Sequence, residues 1–154
     1  MYSALETGLV IAQAAASVGA PCTVEIFNGS GYIRAGNLAA RRTPSPVDFG
    51  ALANQANGGT PLSAHMARVA VAQAKRAGAM RRVVFVVTDG GCDYGPETVK
   101  RMAAHLEKTY KTVLAHVSIG TPLQGSFRAE ICVPYGMPLA EIGLGHFVKV
   151  LQAL

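Results

Sequence analysis

Apolar residues recur along this chain at two spacings, which alternate from one segment to the next. Apolar positions three or four residues apart predict helices over 4–17, from 60 to about 78, over 97–110, and through Leu144, Phe147, Val148 and Leu151. Apolar runs and period-two patterns predict strands over 22–27, 32–34, 83–88, 112–119 and 131–133. Residues 36–59 are the least regular and leave room for a short helix near 49–55.

Strands that alternate with helices in this way predict an α/β fold. We expect a doubly wound, Rossmann-like parallel sheet with helices on both faces. At 154 residues the chain is expected to form a single domain over 1–154.

The composition indicates a globular protein rather than a disordered or membrane-spanning one. Half of the residues are hydrophobic and 15% are charged, as in a globular chain. No apolar run approaches the roughly 20 residues of a membrane span, and the start lacks the order of a signal peptide. Cys22, Cys92 and Cys132 form neither a disulfide framework nor a zinc spacing, which indicates the reducing cytoplasm.

The net charge of +5 does not indicate a nucleic-acid partner, because no aromatic residues interleave the basic ones. The four histidines (His65, His105, His116 and His146) show no metal-ligand spacing. We expect these histidines to be structural or solvated.

The chemistry is expected where the run 83–88 ends. Ligands bind at the carboxyl ends of parallel strands, and Asp89 stands at this end, followed by two glycines. A hydroxyl at Thr60 opens the preceding helix. Each residue also has a local alternative: Asp89 can accept hydrogen bonds from the Gly90 and Gly91 amides, and Thr60 can be the N-cap before Pro61.

In their order and spacing, Gly58-Gly59-Thr60-Pro61-Leu62 and Thr88-Asp89-Gly90 resemble the von Willebrand factor type A family. The sequence of this helix and strand is most similar to bacterial and phage members, including the C-terminal domain of the CobT-type cobaltochelatase subunit. The resemblance covers about residues 1–122. This family has a doubly wound α/β fold. Its metal-ion-dependent adhesion site is built from an Asp-x-Ser-x-Ser loop, a threonine and an aspartate.

By this resemblance Thr60 matches the threonine and Asp89 the aspartate, both as ligands of Mg²⁺ or Mn²⁺. A vacant position on the ion would accept a carboxylate from a partner protein. The candidate partner-contact residues around the site are Gly59, Gly90, Gly91 and Asp93.

The chain departs from the family at its start. The first strand and its Asp-x-Ser-x-Ser loop are absent, and Met1–Leu5 reads as the continuation of that loop. We therefore expect weak or absent metal binding, because one hydroxyl and one carboxylate hold Mg²⁺ poorly. We also expect a longer natural product, in which the DNA upstream of Met1 encodes an apolar run ending in Asp-x-Ser-x-Ser; a stop codon there would contradict this.

Loss of a central strand would expose the inner edges of strands 22–27 and 83–88. Direct pairing of these two strands, about 4.8 Å apart, is the favoured outcome. The alternatives are a strand supplied from elsewhere or an unstable chain.

The leading hypothesis is a non-enzymatic protein-interaction module with an incomplete metal site. An AAA+ ATPase partner, as in metal-chelatase complexes, is implied by the resemblance alone. One alternative is a small α/β hydrolase or transferase that uses Asp89 with Cys92 or a histidine, although no Gly-x-Ser-x-Gly elbow is present. The other is a weak nucleic-acid-binding domain.

Overall fold

The computed structural model describes residues 2–17, 20, 22–29, 31–34, 59–75, 82–89, 91–123, 125–137 and 147. The chain divides into two compact units, Met1–Gly59 with Tyr135–Leu154, and Thr60–Pro134. The predicted helix near 49–55, most of the terminal helix, Gly90 and His146 lie outside the described residues.

The first unit contains helix α1 (Tyr2–Ser17) and the strands β1 (Glu25–Asn28) and β2 (Gly31–Arg34). The two strands form an antiparallel hairpin, with Glu25 opposite Arg34 and Asn28 opposite Gly31. Within helix α1, Thr7, Ile11, Ala12 and Ala14 are buried.

The first predicted strand differs from expectation in both its start and its partner. It begins at Glu25 rather than at residue 22, and it pairs with β2. The strand pairs within the described residues do not include the expected direct pairing of 22–27 with 83–88. Only two residues separate β1 from β2, which allows the two strands to pair as a hairpin.

The second unit alternates helices and strands along the chain. Its elements are α2 (Leu62–Ala74), β3 (Arg82–Thr88), α3 (Pro96–Tyr110), β4 (Thr112–Ile119) and β5 (Ala129–Val133). The three strands form a parallel sheet in the order β3-β4-β5. This confirms the predicted α/β class with parallel strands; the doubly wound order and helices on both faces remain predictions.

The sequence explains why α3 joins β3 to β4. Parallel neighbours need a crossover, and Val99, Ala103 and Leu106 give α3 a buried stripe. Pro96 stands in the first turn, where its missing N–H costs no hydrogen bond, and Lys111 ends the helix in the left-handed conformation. Strand β4 lies at the centre of the sheet, and only Val113 among its residues is not fully buried.

Cys22, Cys92 and Cys132 form no disulfide with one another. Within the described ranges, no helix combines the length and the apolar character that a bilayer crossing requires.

Candidate functional site

Thr60 and Asp89 lie on either side of Gly91. Asp89 follows the last residue of β3, and Thr60 stands two residues before α2 begins. A Cβ atom at Gly91 would lie 3.4 Å from Asp89 Oδ1 and 3.8 Å from Thr60 Oγ1. The two oxygens can therefore be no farther apart than the sum of these distances, so the structure brings the two sequence-predicted residues to one place. We call this place, formed by Thr60, Asp89, Gly91 and Asp93, the rim.

The glycine at position 91 is part of this arrangement. Its amide donates a hydrogen bond to Asp89 Oδ1 at 3.3 Å, which is the local alternative considered for Asp89. This bond orients the carboxylate and uses one of its several acceptor positions. Asp89 is exposed, so the remaining positions face an environment from which a ligand can approach.

Thr60 is not the N-cap of α2, contrary to one of its two predicted roles. The N-cap is Pro61, which makes no side-chain cap hydrogen bond, and the helix begins at Leu62. The Leu62 amide donates to the Thr60 carbonyl at 2.7 Å. Because the helix starts one residue later than the sequence pattern predicts, capping does not engage the Thr60 hydroxyl.

Asp93, one of the predicted partner-contact residues, contacts the start of α2. Its Oδ1 accepts hydrogen bonds from the Ser63 amide at 3.3 Å and from the Ser63 hydroxyl at 3.4 Å. Its own amide donates to the Thr60 carbonyl at 3.1 Å. The loop after β3 is thus tied to the segment that carries Thr60.

The other predicted partner-contact residues, Gly59 and Gly90, contribute less, and two further residues, Cys92 and Tyr94, lie on the same loop as Asp93. Gly59 is exposed, and a Cβ atom there would meet nothing within 4 Å; Gly90 lies outside the described residues. The thiol of Cys92 donates to the Tyr94 carbonyl, whereas a nucleophilic cysteine would be expected beside a base. The Tyr94 side chain is 56% exposed on the same loop.

The rim offers the right kind of donor for a hard cation but too few of them. Mg²⁺ prefers hydroxyl and carboxylate oxygens, and Thr60 and Asp89 supply one of each. Asp93 Oδ1 is engaged by Ser63, and the part of the chain that the structure describes contains no group of three or more His, Cys, Asp or Glu residues able to hold a metal. A self-sufficient metal site therefore does not fit these residues.

Directly behind the rim lies a buried polar network that the sequence analysis did not identify. Thr88 Oγ1 lies 2.9 Å from His116 Nε2, and His116 Nδ1 lies 2.9 Å from Glu130 Oε1. Glu130 also accepts the Leu123 amide at 2.7 Å and the Gly125 amide at 2.9 Å. Three adjacent strands and the loop before β5 are thereby joined; we call Thr88, His116 and Glu130 the buried network.

Burial fixes the protonation state of this network. Desolvation lowers the pKa of His116 below its ordinary 6.5, although the hydrogen bond and charge of Glu130 oppose the shift. Burial raises the pKa of Glu130, but hydrogen bonds from Gly125, His116 and Leu123 outweigh it, and the net pKa is lowered. At neutral pH a neutral imidazole therefore donates from Nδ1 to a carboxylate and accepts the Thr88 hydroxyl at Nε2.

The order hydroxyl, imidazole and carboxylate matches the connectivity of a catalytic triad. Its exposure does not suit a nucleophile, since Thr88 is 5% and His116 0% exposed. Phe127 stacks on the imidazole with ring centroids 4.9 Å apart. The burial of Thr88 and His116 and this ring contact are typical of a structural histidine, the role expected for His116.

A signal for the network was present in the sequence. His116 interrupts the apolar run 113–117 of β4, and its Cα partner in β5 is Glu130. A polar residue at a central-strand position requires a partner, but the partner could be identified only once the register of β4 and β5 was known.

Comparison of the chain with protein-family models, curated proteins and solved structures gives no match.

Proposed function

We propose that this chain is a protein-interaction module of the von Willebrand A type that engages its partner at the rim. The observation that carries the proposal is the convergence of Thr60 Oγ1 and Asp89 Oδ1 on Gly91. These two oxygens come from separate segments of the chain, one before α2 and one after β3. Their meeting is what the resemblance implies, and neither local alternative requires it.

The small number of protein oxygens suggests how an ion would act here. A divalent cation held by Thr60 and Asp89 alone would keep most of its water. A carboxylate from the partner would replace one water and strengthen the site. Ion and partner would then bind cooperatively, each raising the affinity for the other. We propose a partner that presents a carboxylate, with an AAA+ ATPase as the candidate class.

Partner capture with and without Mg²⁺ tests this proposal. The immobilised chain is exposed to extract from its source cells, and retained proteins are identified by mass spectrometry. We expect an AAA+ ATPase to be retained in millimolar Mg²⁺ and released by chelation. Thr60→Val and Asp89→Asn should abolish its retention, because each removes one of the two ligands.

The matched control is Glu97→Gln, which removes an exposed carboxylate from the first turn of α3 and is not one of the rim residues. It should retain the partner as the unmodified chain does. Retention that is equal in Asp89→Asn and the unmodified chain would contradict the proposal. Catalytic turnover of a small ester by the chain alone, lost in Asp89→Asn, would favour the hydrolase alternative instead.

A further inference from the structure

Helix α2 begins without a local cap. The first-turn amides of a helix need acceptors from outside the helix, and a side chain at the N-cap usually supplies one. The N-cap here is Pro61, which has no side-chain acceptor and makes no cap hydrogen bond. The helix must therefore obtain its acceptor from another part of the chain.

Asp93 supplies that acceptor from the loop after β3. Its carboxylate accepts the amide and the hydroxyl of Ser63, and Ser63 is 2% exposed. A carboxylate at this place also interacts favourably with the partial positive charge of the helix N-terminus. The cap is thus long-range, and it ties the fold of the loop to the start of α2.

The same residue holds Thr60 from the other side of Pro61. The Asp93 amide donates to the Thr60 carbonyl at 3.1 Å. Asp93 therefore forms hydrogen bonds with the chain both before and after Pro61. Because a proline between the two contact points has a fixed φ, the intervening backbone has little freedom to carry the Thr60 side chain elsewhere.

We infer that Asp93 is the positioning residue of the rim: by capping α2 at Ser63 and binding the Thr60 carbonyl, it holds the Thr60 hydroxyl beside Asp89. This inference rests on the proposed function. It assigns Asp93 a role different from the direct partner contact that its exposed position suggests. Asp93 acts through Thr60, and its carboxylate oxygen Oδ1 is engaged by Ser63.

Three variants separate positioning from charge. Asp93→Ala removes the side-chain acceptor. Asp93→Asn keeps an acceptor oxygen for Ser63 and removes the charge. Glu97→Gln removes an exposed charge from the first turn of α3 and serves as the matched control for electrostatics.

The first measurement needs no metal. In the unmodified chain, nuclear Overhauser contacts are expected between the Thr60 methyl group and the Gly91 Hα atoms, since Thr60 Oγ1 lies 3.8 Å from the Gly91 Cβ position. Asp93→Ala should lose these contacts while Asp93→Asn and Glu97→Gln retain them. Retention of the contacts in Asp93→Ala, with native dispersion elsewhere in its spectrum, would overturn the inference.

The second measurement uses Mn²⁺ alone as the probe. Outer contacts that orient a ligand typically change metal affinity by about tenfold or more, so Asp93→Ala should weaken Mn²⁺ broadening at Thr60 and Asp89 by about that factor. Asp93→Asn should weaken it only as much as Glu97→Gln does. Equal loss in Asp93→Asn and Asp93→Ala would instead make the Asp93 charge the cause and overturn the inference.

The two measurements also distinguish the two proposals. If Mn²⁺ does not broaden the signals of Thr60 and Asp89 in the unmodified chain, the cation-dependent part of the proposed function is contradicted. The position of Thr60 is then still decided by the contacts to Gly91, which Asp93→Ala either removes or preserves.

Discussion

Two polar clusters meet at consecutive residues, Thr88 and Asp89, and they have opposite character. Thr88 is 5% exposed and belongs to the buried network. Asp89 is exposed and belongs to the rim. In the buried network, unmade hydrogen bonds would be costly, because the low local dielectric penalises an unpaired polar group. At the rim, water can replace a lost partner.

The comparison separates stability from binding. The buried network joins β3, β4 and β5 and should determine how firmly the sheet holds together. At the rim, the exposed Asp89 should matter for ligand binding, whereas Asp93, which also caps α2, should contribute to stability as well. Substitutions of Thr88 should therefore change stability, whereas substitutions of Asp89 should change ligand binding.

The largest effect is expected at Glu130. Glu130→Ala leaves His116 Nδ1 and the Leu123 and Gly125 amides without their common acceptor. We expect a loss of about 3 kcal/mol in the free energy of unfolding, measured by urea denaturation. Glu130→Gln keeps one acceptor oxygen and should lose less. A Glu130→Ala protein within about 0.5 kcal/mol of the unmodified chain would refute the importance of the network.

The next effect is the contrast between positions 88 and 89. Thr88→Val keeps the shape but removes the hydroxyl that His116 Nε2 accepts, and should cost about 1.5 kcal/mol. Asp89→Asn should change the free energy of unfolding by less than about 0.5 kcal/mol, since the side chain is exposed. Both values come from the same urea titration. Similar losses in the free energy of unfolding at the two positions would contradict the proposed division between the buried network and the rim.

A third effect is the pH dependence of stability. The pKa of His116 is lowered by burial, so as pH falls below about 6.5 the unfolded chain binds a proton before the folded chain does. Stability should therefore decline with acidification over this range and be fully present above it. Glu130, whose pKa is also lowered, should add a further loss as pH falls below 4.5 toward its folded-state pKa.

Imidazole NMR titration and urea denaturation at several pH values measure this effect. His116→Gln should flatten the decline immediately below pH 6.5, whereas the exposed His105 gives the control His105→Gln, which should leave it unchanged. A His116 that titrates above 6.5 would reverse the sign of the expected dependence.

The smallest effect is expected from Mg²⁺. Stabilisation by a ligand follows RT ln(1 + [L]/Kd), so an ion bound weakly by two oxygens adds little. Millimolar Mg²⁺ should leave the Tm of the chain unchanged in a thermal scan. An increase of several degrees that Asp89→Ala abolishes would show a more complete metal site than these residues form.

The sequence was sufficient for the elements whose patterns are local. The apolar run through Phe85 predicts a strand, and the apolar spacing through Val99 and Ala103 predicts a helix, without knowledge of the elements that pack against them. The structure contains both elements. The expectation that Thr60 and Asp89 meet came from the resemblance to the von Willebrand factor type A family rather than from any local pattern.

Other features depend on contacts that no local pattern specifies. The capping of α2 comes from Asp93, thirty residues beyond Ser63, so the propensity of Thr60 for an N-cap was misleading. The pairing of His116 with Glu130 depends on the register of β4 and β5. The antiparallel pairing of β1 with β2 replaces no predicted contact of β2, but the register of the two strands was not specified by their short apolar patterns.

Thr60 and Asp89 are proposed to form one binding site, and substoichiometric Mn²⁺ is the sharpest probe of this pairing. Paramagnetic broadening is recorded across the amide spectrum, where even a weakly bound ion marks its neighbours. We expect the Thr60 and Asp89 amides to broaden together and Asp89→Asn to remove both effects. Broadening of one without the other, or broadening confined to carboxylates away from the rim, would contradict it.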